Sequence, residues 1–303
     1  MKKKILSFLG KALTVLSLVF IVVVVLKFDI DFTIIIKPKV LIGILICSII
    51  LASSVVFNSI AWSKLLNVFT HQKLILREVI DVYSKANLGK YLPGNIMHYV
   101  SRNVYGSKYG ISQKDMVYAT VMEVALKVVS AGIISLLFLN KRISSILEQI
   151  QVDLSISISF VVTGIAIIVI MIGGIVFWRF RSIGLRSLKP IGCSMILYSV
   201  IFLINAGVFI AATNFISNTV TGDVLLYATG IYIIAWLIGY LAPGAPGGIG
   251  IKEGIMILLL SNIYSLEVIT LVSVIVRIIT VIADILAYIM NLTLSKHILK
   301  SST

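Results

Sequence analysis

Glu123, Lys127, Arg277 and Asp284 stand deep inside long apolar runs, where a charge is costly unless it is paired or faces water. Glu123 and Lys127 lie four residues apart in the run from Met116 to Leu139. That spacing puts both on one helix face with the acid N-terminal to the base, the favourable order for an ion pair. Arg277 and Asp284 lie seven apart in the run from Leu266 to Leu294. They too share a face, but two turns separate them, so their partners are expected on other helices. Two readings are open for all four: buried pairs that fix helix packing, or the lining of a polar route for a charged group.

Two stretches interrupt the apolar pattern with proline and glycine. They are Gly89-Lys90-Tyr91-Leu92-Pro93-Gly94 and Ala242-Pro243-Gly244-Ala245-Pro246-Gly247-Gly248-Ile249-Gly250. Proline removes a backbone donor and glycine admits left-handed or closely packed backbone, so both stretches should end helices and free backbone groups to meet a ligand. At membrane depth such backbone is tolerated only where protein or a watery cavity covers it. A plain loop explains the first stretch, set among polar residues, equally well; for the second, flanked by apolar runs, a functional break is favoured. Lys90 and Tyr91, and Lys252 and Glu253 after the second break, are candidates for contact with a headgroup, the last two reading equally as an interfacial pair. Pro93 precedes Glu123 by 30 residues and Pro246 precedes Arg277 by 31, the spacing of an internal repeat with a site between its halves. The glycine run lacks Gly-Lys-Ser/Thr, and Gly248, Gly250 and Gly254 miss the dinucleotide spacing, so nucleotide binding is not expected.

The elements that position these residues follow from composition. With 59% hydrophobic and 13% charged residues and a mean hydropathy of +1.10, the chain is too apolar for a soluble domain. It reads as a single all-α integral membrane domain over residues 1–303. Long apolar runs cover Leu13–Leu26, Val40–Leu66, Met116–Leu139, Leu154–Trp178, Ile191–Ile216, Val224–Leu241 and Leu266–Leu294, with a shorter piece at Ile255–Leu260. Basic residues cluster at Lys2–Lys4, Lys11, between Lys64 and Lys114, between Arg179 and Lys189, and at Lys296 and Lys300. Counted as cytoplasmic, they place both termini inside a plasma membrane and require an even number of crossings. About eight transmembrane helices result if the piece before Leu260 crosses; a re-entrant hairpin there is the alternative. The net charge of +14 is explained by this topology and by anionic headgroups, without nucleic acid. Tyr99, Arg102, Tyr105, Lys108 and Tyr109 fit an interfacial helix at the cytoplasmic headgroup level. Cys47, Cys193 and the three scattered histidines form no metal-ligand spacing, and neither metal nor cofactor is expected.

Lys90-Tyr91-Leu92-Pro93-Gly94, with Arg102 and Glu123 downstream, and Pro246-Gly247-Gly248-Ile249-Gly250-Ile251-Lys252-Glu253-Gly254 form a pattern that resembles the lysylphosphatidylglycerol synthase transmembrane family. The resemblance covers nearly the whole chain. It implies roughly eight spans and a flippase-like membrane region that moves a lipid with a polar headgroup between leaflets. The synthases carry a soluble aminoacyl-transfer domain after their spans, and these 303 residues hold none. A separate lipid-synthesising enzyme is therefore expected as a partner. On this reading Lys90, Arg102 and Lys252 receive the phosphate of a phospholipid, an aminoacylated phospholipid or a polyprenyl-phosphate-linked sugar. Glu123, Lys127, Arg277 and Asp284 line its passage, with Tyr91, Pro93, Gly94, Pro246, Gly247, Gly248 and Glu253 shaping the site. Two other classes stay open. Asp29 and Asp31 could hold a metal in a membrane glycosyltransferase using a lipid-linked donor, although the outer loops are short. A non-catalytic membrane partner of a lipid-modifying enzyme would tolerate loss of the intramembrane charges.

Overall fold

The computed structural model describes residues 33–70, 74–91, 97–139, 187–217, 222–242, 248 and 250–299. After a helical turn at Thr33–Ile36 come α1 (Pro38–Phe69), α2 (Leu76–Asn87), a 3-10 turn (Leu88–Tyr91), α3 (Met97–Ser107) and α4 (Gln113–Leu139). These are followed by α5 (Leu188–Ile216), α6 (Gly222–Leu241), α7 (Ile251–Leu260) and α8 (Leu266–Leu299). No strand occurs among the described residues. Five helices, α1, α4, α5, α6 and α8, are long and apolar enough to cross a membrane. The runs at Leu13–Leu26 and Leu154–Trp178, the pair Asp29 and Asp31, and Pro93, Gly94, Pro246 and Gly247 lie outside the described residues.

The five long helices overlie the expected runs and overshoot them by a turn where polar residues can still wind. α1 starts on Pro38, whose missing N–H would have no intrahelical partner at that position. α4 begins on Gln113-Lys114-Asp115, with Asp115 in the first turn, where the helix dipole favours an acid. Each long helix buries one side and leaves apolar side chains on the other. In α1, Val40, Ile44, Leu51, Trp62 and Leu65 are buried while Leu41, Ile42, Leu45, Ile46 and Ile49 are exposed. A helix apolar on all sides is suited to hydrocarbon, not water. Several hydroxyls in this core bond back to their own helices, as Ser48 does to the Ile44 carbonyl (2.7 Å) and Ser59 to that of Val55 (2.7 Å). Ser194 on α5 also donates to the Ala61 carbonyl on α1 (2.9 Å), a contact that small side chains permit.

Two helical hairpins bring residues 89–91 and Gly248, the described parts of the interrupted stretches, into the bundle. α2 turns back along α1, where the Tyr83 hydroxyl lies 3.2 Å from Asn58 Oδ1. It also runs antiparallel to the later part of α8, since Asn87 bonds Asp284 (2.7 Å) while Asn291 bonds Asp81 (2.8 Å). The 3-10 turn then carries Lys90 and Tyr91 to α8, and Gly89 lies under the start of α3, where a Cβ would sit 3.0 Å from the His98 backbone. In the second hairpin α7 runs back beside α6, the Tyr227 hydroxyl donating to the Leu259 carbonyl (3.0 Å). Gly248 makes that turn possible: its φ is +71°, and a Cβ there would lie 3.0 Å from the Gly239 backbone.

Candidate functional site: a cation-rich cavity among apolar helices

Glu123 sits on α4 with no exposed surface. Its carboxylate accepts from Lys127 Nζ (2.6 Å), from the Tyr83 hydroxyl (2.9 Å) and from Arg102 Nη1 on α3. The Arg102 guanidinium is held among aromatic faces, 4.2 Å from the Tyr83 ring centre and 5.0 Å from that of Trp62. The self-contained pair expected from the four-residue spacing is therefore present, with Arg102 as a third member. One buried carboxylate thus carries two cations, and the less buried of these, Lys127, extends to the cavity wall.

Arg277 and Asp284 find the partners that their seven-residue separation demanded. Asp284 accepts from Lys90 Nζ (2.6 Å), Asn87 Nδ2 (2.7 Å) and the Tyr91 hydroxyl, so the first interrupted stretch closes onto α8 through one carboxylate. Arg277 Nη2 donates to Glu253 Oε1 (3.1 Å), while Glu253 Oε2 accepts from the Gly250 N–H (2.7 Å) and so caps α7. The capping carboxylate therefore also anchors α7 to α8. Lys252, the next residue back, has no carboxylate within 4 Å among the described residues; its Nζ lies 4.0 Å from the Tyr232 ring centre.

These groups converge on a cavity of about 220 Å³. Lys90, Lys127, Lys252 and Arg277 line it against two carboxylates, Glu253 and Asp284, leaving a surplus of two positive charges among the described residues. Arg102 and Glu123 stand behind the wall and cancel one another, so they leave that surplus unchanged. Uncompensated charge in a poorly solvated site is unfavourable, and an arriving anion relieves it. Tyr91 and Gly248 also line the cavity. Its remaining wall is mixed: Leu51, Val55, Met256 and Val276 are apolar, Ser273 and Thr280 carry hydroxyls, and the amide and aromatic members include Asn58, Asn87, Asn205, Tyr198, Tyr232 and Trp236. None of these six was singled out in the sequence. Asn58 and Asn205 left a signal there, each being a side-chain amide inside a long apolar run; the aromatic residues left none, because such rings are ordinary in membrane helices.

A second polar cluster lies apart from the cavity. Asp81 binds Lys85 (2.6 Å), Asn291 Nδ2 (2.8 Å) and the Tyr109 hydroxyl (2.9 Å), tying α2 to α8 and to the turn before α4. Burial alone would raise the Asp81 carboxyl, but the bonds from Lys85, Asn291 and Tyr109 outweigh it and hold the group below its ordinary value. The Tyr109 hydroxyl is pushed up to about 12 by burial and by its bond to that carboxylate.

Fold and site together define a class: an all-helical chain whose five apolar helices fit a multi-pass membrane protein, enclosing a cavity with a positive surplus. No protein-family model matches the chain, and no curated protein does.

Proposed function

We propose that this protein is a lipid flippase-like transporter that moves a phosphate-containing lipid between leaflets. The observation that carries this reading is the cavity among apolar helices, in which four cations face two carboxylates. A phosphate diester supplies a negative charge of the right sign and accepts the charge-assisted bonds that Lys252 and its neighbours can donate. At about 220 Å³ the cavity falls below the roughly 300–1,000 Å³ of sites that enclose a drug-sized ligand, so a headgroup enters while the acyl chains stay in the bilayer. Lys90 and Tyr91 of the first interrupted stretch and Gly248 of the second line this cavity, which, with the resemblance to the lysylphosphatidylglycerol synthase transmembrane family, supports the same reading.

In this arrangement the chain crosses a plasma membrane about eight times with both termini inside. α7 runs back beside α6, Tyr227 meeting Leu259 and Gly239 meeting Gly248, but its ten residues reach only about 15 Å, so the crossing also uses the residues that flank it. The α2–α3 hairpin is re-entrant, and each half carries one break followed by a charged helix, as in an internal repeat. The test is transfer of labelled anionic lipid in proteoliposomes. Acceleration is expected, and Lys252→Met should reduce the apparent affinity between about tenfold and a hundredfold, the worth of one hydrogen bond to a charged group. No acceleration for any anionic lipid, even under an imposed proton gradient, would overturn the reading.

A further inference from the structure

The ion pairs of this bundle differ in what surrounds them. Arg102, paired with Glu123 behind the cavity wall, is only 3% exposed. Arg277 and Glu253 both line the cavity, and the Arg277 side chain keeps 29% of its surface. A guanidinium can meet a carboxylate through two parallel N–H bonds, but here a single one joins them, at 3.1 Å. The pair is of the weaker kind, and it stands where an arriving anion meets it.

This pair also joins α7 to α8. α2 and the turn after it are held to α8 at two levels, by Asn87, Lys90 and Tyr91 on Asp284 and by Asn291 on Asp81. α7 packs more extensively on α6 than on α8. Its ties to α6 include the bond from Tyr227 to the Leu259 carbonyl and the Lys252 ammonium over the Tyr232 ring. Glu253 Oε2 accepts from the Gly250 N–H, so the carboxylate cannot swing away from Arg277 without uncapping α7. An anion at Arg277 sets a second negative charge beside that carboxylate, and like charges at one site repel. Separating α7 from α8 relieves the repulsion and keeps the cap. The anion therefore favours the separated state, which is the differential affinity that a shift between two states requires.

We propose that Arg277 and Glu253 form a clasp between α7 and α8 that a phosphate-bearing anion in the cavity opens, making this seam the part of the bundle that moves. Glu253 is then the empty cavity's own substitute for the anion, covering Arg277 until one arrives. This rests on the cavity being an anion site, as argued above.

The test is double electron–electron resonance on the full-length chain in detergent, in a background carrying Cys47→Ala and Cys193→Ala. One pair of spin labels is attached through Leu258→Cys on α7 and Val281→Cys on α8, and a control pair through Leu76→Cys on α2 and Met290→Cys on α8, all exposed positions. The probes are dihexanoyl phosphatidate and, as the chain-free anion, inorganic phosphate, with binding titrated in parallel. The lipid should lengthen the α7–α8 distance by at least about 2 Å, the upper scale of helix shifts at packed interfaces, and leave the α2–α8 distance unchanged. Glu253→Gln, whose amide oxygen can still cap α7, should show the longer distance without lipid and bind the lipid several-fold more tightly. Binding that leaves the α7–α8 distance unchanged, or lengthens both distances alike, would overturn the clasp and leave the transporter reading standing. A Glu253→Gln distance equal to that of the empty parent would do the same. Opening by inorganic phosphate at the lipid's own concentration would keep the clasp and overturn the lipid as the anion that works it. Failure of both probes to bind would overturn the anion site and the clasp together.

Discussion

Replacing Glu123 by Gln tests whether the charges of the bundle form one interlocked unit. The carboxylate is wholly buried and has three donors, two of them cationic. With the carboxylate gone, Lys127 can turn toward the cavity that it lines, but Arg102 is only 3% exposed and stays enclosed by Tyr83 and Trp62. The cost is therefore that of stranding one buried charge, about 3–5 kcal/mol. Arg102→Met should cost less, because Glu123 keeps Lys127 and Tyr83. The double replacement Arg102→Met with Glu123→Leu should cost less than Glu123→Gln alone, since apolar substitutes for a buried pair are often neutral. Unfolding titrations in mixed micelles, followed by tryptophan fluorescence, read these differences near Trp62, which lies against Arg102. Loss of less than about 1 kcal/mol in Glu123→Gln, or a double replacement that costs more than Glu123→Gln alone, would refute the argument that Arg102 depends on this carboxylate.

The same charge logic gives the opposite sign at the cavity. Asp284→Asn releases Lys90 and raises the surplus from two to three, so a short-chain anionic lipid should bind several-fold more tightly and with steeper salt dependence; weaker binding would contradict a charge-driven site. Gly248→Ala places a Cβ at positive φ and 3.0 Å from Gly239, so it should destabilise the protein, whereas Gly132→Ala, inside α4 with nothing within 4 Å, should be neutral or stabilising by up to about 1 kcal/mol in the same titration. The pH dependence follows from Asp81, whose carboxyl is held below its ordinary value. Its stabilising contribution is present above the unfolded value of about 3.9 and is lost as pH falls through the lower folded value. Asp81→Asn should therefore be less stable than wild type at neutral pH, with the gap closing in acid; a gap independent of pH would exclude this carboxylate as its cause.

What the sequence disclosed depended on whether a signal was local. The five long helices were legible because each is a continuous apolar run, and Glu123 with Lys127 was legible because helical geometry alone brings residues four apart together. Arg277 and Asp284 announced that partners must exist, since charge in an apolar run demands them, but not which partners. Glu253 and Lys90 were each available as candidates, yet their pairing is decided by where two interrupted stretches fold back. Arg102 shows the limit from the other side. On α3 it reads as a headgroup residue by its aromatic and basic neighbours, and only the packing of α3 on α4 turns it inward to Glu123. The polar wall was the least legible part. Ser54, Tyr198 and Asn205 come from two different helices, none is charged, and a serine or tyrosine in a span usually bonds its own backbone or sits at the interface. Their place on one wall is decided by how α1 packs against α5, which no single position carries. Charge reveals itself residue by residue because isolating it is so costly; a neutral polar wall reveals itself only when the helices are assembled in three dimensions.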